Sequence, residues 1–282
     1  MTKIVEVNCI EHIYPDKTRI ELCGLELTVN KGEKVAILGS NGSGKTTLIK
    51  HILGLLTPSK GLVSVFGKNP AKDFKIIRHK IGVVLQNIDE QLIGPTVIDD
   101  IMFSPLNFGY SKQEAQSMAE NIMDELGIIH LKDKIIHYLS GGEKKKVAIA
   151  GALVHNPELL VLDEPFSNLD SKSERGYISL IDRICREKGI SVIISTHNAE
   201  VLTDFADTIF LISKNHLSRK KTLAELFYSQ DNFGQDNLEV YNLEKPTLIK
   251  MVDILKDRGI DLGNPVSAEE AADVVERLLG KP

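Results

Sequence analysis

The chain has 282 residues, 42% of them hydrophobic, and a formal net charge of −5. That length and apolar content fit one large domain with a smaller appendage, and the acidic balance argues against nucleic acid as the main partner, because such proteins carry a basic field. The three cysteines, Cys9, Cys23 and Cys185, are widely spaced and read as neither a disulfide framework nor a metal cluster.

In chain order, residues 3–10 and 22–29 are apolar and β-branched and predict a pair of antiparallel strands. Val35-Ala36-Ile37-Leu38 follows the turn Lys31-Gly32-Glu33 as a short buried strand. A helix is predicted from Lys45, with Leu48, Ile52 and Leu55 on one face and Gly54 and Thr57-Pro58 at its end. Later apolar runs at residues 81–85, 159–162, 192–194 and 209–212 are separated by helical segments. Short apolar strands alternating with helices predict a parallel sheet covered on both faces. From about 87 to 158 the pattern is mostly helical, notably at 113–126, and reads as a helical subdomain inserted into the core. Residues 231–242 are polar and turn-rich. Two further helices are predicted, over about 247–258 with Leu248, Val252 and Leu255 apolar, and about 268–279 with Val274, Leu278 and Leu279 apolar. Ser267 followed by Glu270 is a capping-box pattern. These divide the chain into residues 1–220 and a small C-terminal domain, 221–282. No apolar leader and no run of about eighteen apolar residues is present, so neither a signal peptide nor a membrane span is expected.

Gly39-Ser40-Asn41-Gly42-Ser43-Gly44-Lys45-Thr46 lies between a predicted strand and a predicted helix, the context a phosphate-binding loop requires. The glycines let successive backbone N–H groups curl around an anion, and the helix N-terminus adds partial positive charge. Lys45 should reach the β- and γ-phosphates of a nucleotide and Thr46 should place its hydroxyl on Mg²⁺, with Thr47 next to them in the site. The apolar strand at 159–162 delivers Asp163 and Glu164 to the carboxyl edge of the sheet, where open α/β sheets bind ligands. Asp163 would hold Mg²⁺, directly or through water, and Glu164 would polarise an attacking water. Leu139-Ser140-Gly141-Gly142-Glu143 precedes a helical run and, taken alone, is also a serine cap. Lys144-Lys145-Lys146 reads as a solvated or phosphate-facing helix flank, and the histidines other than His197 show no ligand spacing.

Taken together and in this order, these segments resemble the ATP-binding-cassette ATPases over about residues 3–220. Residues 39–46 and 159–164 match the family's two nucleotide motifs, and 139–143 looks like its signature. The resemblance implies an α/β fold of the P-loop NTPase type. Its mixed or parallel core sheet would carry an antiparallel β subdomain, an inserted helical subdomain and a small C-terminal appendage. It also implies a composite site, in which two cassettes pack head to tail and Ser140 and Gly142 of one complete the ATP site on Lys45 of the other. Asp170, in the loop Ser167-Asn168-Leu169-Asp170, would line that interface. His197 would contact the γ-phosphate and position water for Glu164. Gln86 would sense metal and water, and Tyr14 would stack on adenine.

Gln86-Asn87-Ile88-Asp89-Glu90-Gln91-Leu92, Pro95-Thr96-Val97 and the stretch 99–107 resemble the energy-coupling-factor ATPases of cobalt, nickel, biotin and other vitamin uptake systems. Those usually have proline where Ile88 stands and glycine where Ser104 stands. The implied partners are a second cassette, identical or paralogous, a transmembrane coupling protein and a membrane substrate-binding component, with the ATPase peripheral on the cytoplasmic face of the membrane. The alternative is a soluble cassette ATPase acting on DNA repair, ribosomes or iron–sulfur assembly.

Overall fold

The computed structural model describes residues 2–24, 26–167, 169, 171–202, 205–213, 216–220, 222–228 and 243–280. Its elements run β1 (Lys3–Ile13), β2 (Arg19–Leu22), β3 (Leu27–Asn30), β4 (Lys34–Leu38), α1 (Lys45–Ile52), β5 (Lys60–Val65), α2 (Pro70–Ile77) and β6 (Ile81–Val84). Helices α3 (Ile88–Gln91), α4 (Val97–Asn107), α5 (Lys112–Glu125) and α6 (Gly141–Leu153) follow before β7 (Leu159–Asp163). Then come α7 (Ser171–Lys188), β8 (Ser191–Thr196), β9 (Thr208–Ser213), β10 (His216–Lys220), α8 (Leu223–Tyr228), α9 (Thr247–Asp257) and α10 (Ala268–Leu278).

Two sheets organise these elements. The six-stranded sheet has the order β10-β9-β4-β8-β7-β6 and is parallel except for the β10–β9 edge pair. The other is antiparallel, with β1 pairing β2, β3 and β5. The centres of the parallel strands are apolar on both sides because both their faces are covered, with polar residues at the strand ends. On β4, Val35 and Ile37 face a core shared with α1 and the antiparallel sheet, while Ala36 and Leu38 face the core that includes the helices α4–α6. The same alternation splits β7, with Leu159 and Val161 on the first side and Leu160 and Leu162 on the second. This is the expected P-loop architecture: a parallel core, an antiparallel layer and helices between β6 and β7.

Several expectations are corrected. The apolar stretch 22–29 is not one strand: it breaks after Leu22, and β2 and β3 pair with opposite halves of β1. Cys9 and Cys23 form a disulfide. Fourteen residues separate them in sequence, but the β1–β2 register that pairs Ile10 with Leu22 brings the two next to each other. Cys185 is the buried free thiol, and burial pushes its pKa up to about 12. Leu55 lies beyond the end of α1 and is exposed. On α10 only Ala271 is buried, whereas Leu278 and Leu279 are 60% and 68% exposed because nothing among the described residues packs on that stripe. The cap itself forms, Ser267 accepting from Glu270 N, but the Glu270 carboxylate reaches back to Val266 N. On α9 the buried residues are Ile249 and Val252. The polar stretch 231–242 lies outside the described residues.

Candidate active site

The phosphate loop connects β4 to α1. Gly39 is buried, and a Cβ there would fall 2.4 Å from the carbonyl oxygen of Ile212 and 2.8 Å from Ser43 Oγ, so no side chain fits. Gly44, the N-cap of α1, has φ +105°, in the left-handed region that glycine tolerates. The loop is moored to β8 by Gly39 N donating to Thr196 O at 3.3 Å. Ser43 Oγ is buried without a hydrogen-bond partner, which is costly unless a ligand supplies one. A cradle too tight for a Cβ, with an orphaned hydroxyl at the N-terminus of a helix, fits a phosphate group.

Lys45 is 4% exposed, and its ammonium donates to Gly39 O at 2.7 Å and Ser40 O at 3.0 Å. It also lies 3.0 Å from Glu164 Oε1. The other oxygen of Glu164 faces His197 Nδ1 at 3.1 Å. Glu164 is 8% exposed while the His197 side chain is half exposed, so this carboxylate is bracketed by a buried cation and an accessible imidazole.

The sharp turn after β7 puts Glu164 at φ +44°, which costs a non-glycine residue about 1–2 kcal/mol. Ser195 holds that turn. The Glu164 N–H donates to Ser195 Oγ at 3.0 Å, and the Ser195 hydroxyl donates to Asp163 Oδ1 at 2.5 Å. Ser195 is fully buried and sits opposite Asp163 in the β7–β8 register. Sequence reading passed over Ser195, one of three hydroxyl residues in β8 and not set apart from Ser191 and Thr196 by anything local. It also missed Glu174, which lines the cleft and whose carboxyl pKa is raised by burial, with His197 and Lys145 partly offsetting.

Two adjoining clefts share Asn41, Gln86 and Glu164. One, of about 300 Å³, runs over Gly42, Gly44, Lys45, Thr46 and Thr47; the other, of about 670 Å³, runs past Thr196 and His197. Ile20 of β2 lines the first. Tyr14 stands beside the loop helix, its hydroxyl 2.9 Å from Thr47 Oγ1. Ser140 and Gly142 line neither cleft. Ser140 instead caps α6 in a capping box with Glu143, whose pKa the Ser140 N–H and hydroxyl lower to about 2. Asp170 lies outside the described residues.

Among the described residues no three histidine, cysteine or acidic groups converge into a metal cage. Thr46 and Gln86 line the cleft over the phosphate loop and offer a hydroxyl and an amide oxygen, while the Asp163 carboxylate lines neither cleft and is buried beside Glu164, which does. That limited set suits Mg²⁺, which is bound by one or two carboxylates together with phosphate oxygens. No helix among the described residues is long and apolar enough to cross a membrane.

A family model described as ABC transporter matches residues 22–167. An energy-coupling factor transporter ATP-binding protein EcfA of Methanothermobacter thermautotrophicus is 35% identical over 98% of this chain and 88% of that protein. One from Methanoculleus marisnigri is 34% identical over 95% of each. Among solved structures, cbiO1 from Clostridium perfringens, described as part of the ABC transporter complex cbiONQ, superposes with a TM-score of 0.74. It is 32% identical and is matched over its whole length by 90% of this chain.

Proposed function

Because the chain belongs to the ABC transporter family, we propose that it is the ATPase subunit that powers uptake of a metal ion or vitamin through a separate transmembrane complex of the energy-coupling-factor type. As a member of that family it binds ATP with Mg²⁺ and couples ATP hydrolysis to transport. The observation that carries the finer reading is similarity to EcfA proteins along nearly the whole chain, well past the cassette core. An apolar groove of about 430 Å³, lined by Phe74, Leu85, Ile93, Phe103 and Phe108, supports it as a seat for a helix of the transmembrane partner on the cytoplasmic face.

In the mechanism we propose, the backbone of residues 39–46 and the Ser43 hydroxyl bind the phosphates. Tyr14 flanks the base. Lys45 exchanges its contact with Glu164 for β- and γ-phosphate oxygens. Glu164, relieved of that pairing, accepts a proton from the attacking water, and His197 orients both. Thr46, Asp163 and Gln86 hold Mg²⁺, which when bound neutralises charge developing on the phosphates. Ser140 and Gly142 serve the nucleotide of a second cassette, a role supported by their lying outside this chain's own two clefts. Asp170 lies at that interface, and residues 221–282 assist dimerisation through the exposed Val275, Leu278 and Leu279.

Ser195→Ala is expected to destabilise the fold by about 1–3 kcal/mol, since it removes the hydroxyl that donates to the buried Asp163 carboxylate, while the Glu164 N–H keeps the Ser195 carbonyl. It should also raise the Mg²⁺ concentration needed for half-maximal turnover, with Ser195→Thr largely restoring it. An unchanged Mg²⁺ requirement in the alanine variant would remove Ser195 from the support of Asp163. For the transport reading itself, the chain expressed in its native host and extracted in mild detergent should copurify with a multispanning membrane protein and a small membrane subunit. Repeated recovery with ribosomes or DNA repair proteins instead would overturn it.

A further inference from the structure

Tyr177, in the second turn of α7, is 7% exposed and lies outside both catalytic clefts. Its hydroxyl donates to Gly142 O at 2.5 Å. The phenol oxygen lies directly over the Gly142 backbone, 3.5 Å from where a Cβ would stand, an ordinary contact distance. A phenol at a buried site is costly unless its O–H is bonded, and here the Gly142 carbonyl satisfies it and ties α7 to the first turn of α6. Burial, and secondarily the charge of Glu143, raise the phenol pKa to about 12, so it remains a donor at neutral pH.

One residue further along α6 than the Ser140–Glu143 cap is Lys144, and next to it Lys145 ties the same helix to a different element. The Lys145 ammonium donates to Pro165 O at 2.8 Å and Ser167 O at 2.5 Å. Those carbonyls belong to the loop that begins at Glu164. The first turns of α6 are thus held from two sides, by α7 through Tyr177 and by the Glu164 loop through Lys145, while the capping box fixes the turn internally.

We propose that Tyr177 is a positioning residue, which aims the Ser140–Gly142 turn at the nucleotide held by a partner cassette. This rests on the composite-site reading above. Tyr177 touches no nucleotide; it acts through the Gly142 carbonyl. Loss of the bond lets the α6 N-terminus tilt, and the cost falls on closure of the dimer around ATP rather than on the chain's own grip on nucleotide. Lys145 extends the same brace to the chain's own Glu164 loop, so the turn offered to the partner and the loop serving the chain's own site move as one body.

The test uses full-length chain carrying Glu164→Gln, in which ATP is consumed slowly enough for dimers to accumulate. Dimer formation is followed by sedimentation against Mg-ATP concentration, and the affinity of the dilute monomer for a fluorescent ATP analogue is measured separately. Adding Tyr177→Phe should raise the ATP concentration for half-dimerisation about three- to tenfold, the worth of one neutral hydrogen bond, and leave the analogue affinity unchanged. Lys145→Met should act in the same direction and keeps the test open if the phenylalanine variant folds poorly. An unchanged dimerisation midpoint in a folded Tyr177→Phe chain, or a parallel loss of analogue affinity, would overturn the assignment. If the Glu164→Gln parent does not dimerise with ATP, the composite-site reading fails first; if the parent dimerises and Tyr177→Phe matches it, only the role of Tyr177 fails.

Discussion

Glu164→Gln should bind Mg-ATP at least as well as the unaltered chain while its turnover falls by about two to four orders of magnitude, the usual contribution of a general base. Both halves follow from one geometry. Glu164 Oε1 sits 3.0 Å from the Lys45 ammonium, and that contact competes with phosphate for the same cation. The amide removes the competing charge. It keeps the shape that faces His197 Nδ1, and it leaves the backbone bonds to Ser195 untouched. What it cannot do is accept a proton from water. Without nucleotide the variant should melt earlier, because a buried Lys45 loses its counter-charge and keeps only the Gly39 and Ser40 carbonyls. Mg-ATP at about one hundred times its Kd should restore roughly 2.7 kcal/mol by mass action. Steady-state phosphate release, nucleotide titration and thermal melts with and without Mg-ATP measure the three effects. Turnover close to that of the unaltered chain would sink the general-base assignment, and weakened ATP binding would contradict the competition between Glu164 and phosphate for Lys45.

The parts of this fold that sequence revealed are those where both faces of a strand are dry. Val35 to Leu38 and Leu159 to Leu162 read as uninterrupted apolar runs because one face meets the antiparallel layer and the other the helices. The phosphate loop was legible for a similar reason: its residue types are dictated locally, by a backbone that must curl and a helix that must start. Features set by pairing across the fold were not legible. The Cys9–Cys23 bridge depends on the β1–β2 register, and nothing in the spacing of three cysteines encodes it. β5 was passed over because its first three residues, Lys60, Gly61 and Leu62, face solvent and break any alternation. Ser195 and Tyr177 look like unremarkable members of a strand and an amphipathic helix until the Asp163 carboxylate and the Gly142 carbonyl are brought against them. The α10 stripe shows the opposite failure, since an apolar periodicity says that a face wants cover without saying which molecule provides it.

Ser140→Arg should abolish hydrolysis at the partner's site and spare the chain's own, and paired variants separate this from a local effect. Ser140 is exposed and lines neither catalytic cleft of its own chain. Its hydroxyl is engaged with Glu143 in the α6 cap, so arginine also removes a cap worth about 1 kcal/mol. That loss should appear as a small drop in melting temperature, well short of unfolding. The decisive comparison uses two dimers assembled from differently tagged chains. In the first, one chain carries both Ser140→Arg and Glu164→Gln and the other is unaltered. The only intact Glu164 then faces the damaged turn, and no activity is expected. In the second, one chain carries Ser140→Arg and the other Glu164→Gln. The chain with Ser140→Arg then keeps its own Glu164 and receives an intact turn from its partner, so one complete site survives and should turn over. If each site were built from a single chain, the order would reverse: the first dimer would be active and the second dead. The same fold and the same two substitutions are present in both dimers, so misfolding or lost stability cannot produce the difference. Only the chain that Ser140 serves distinguishes them.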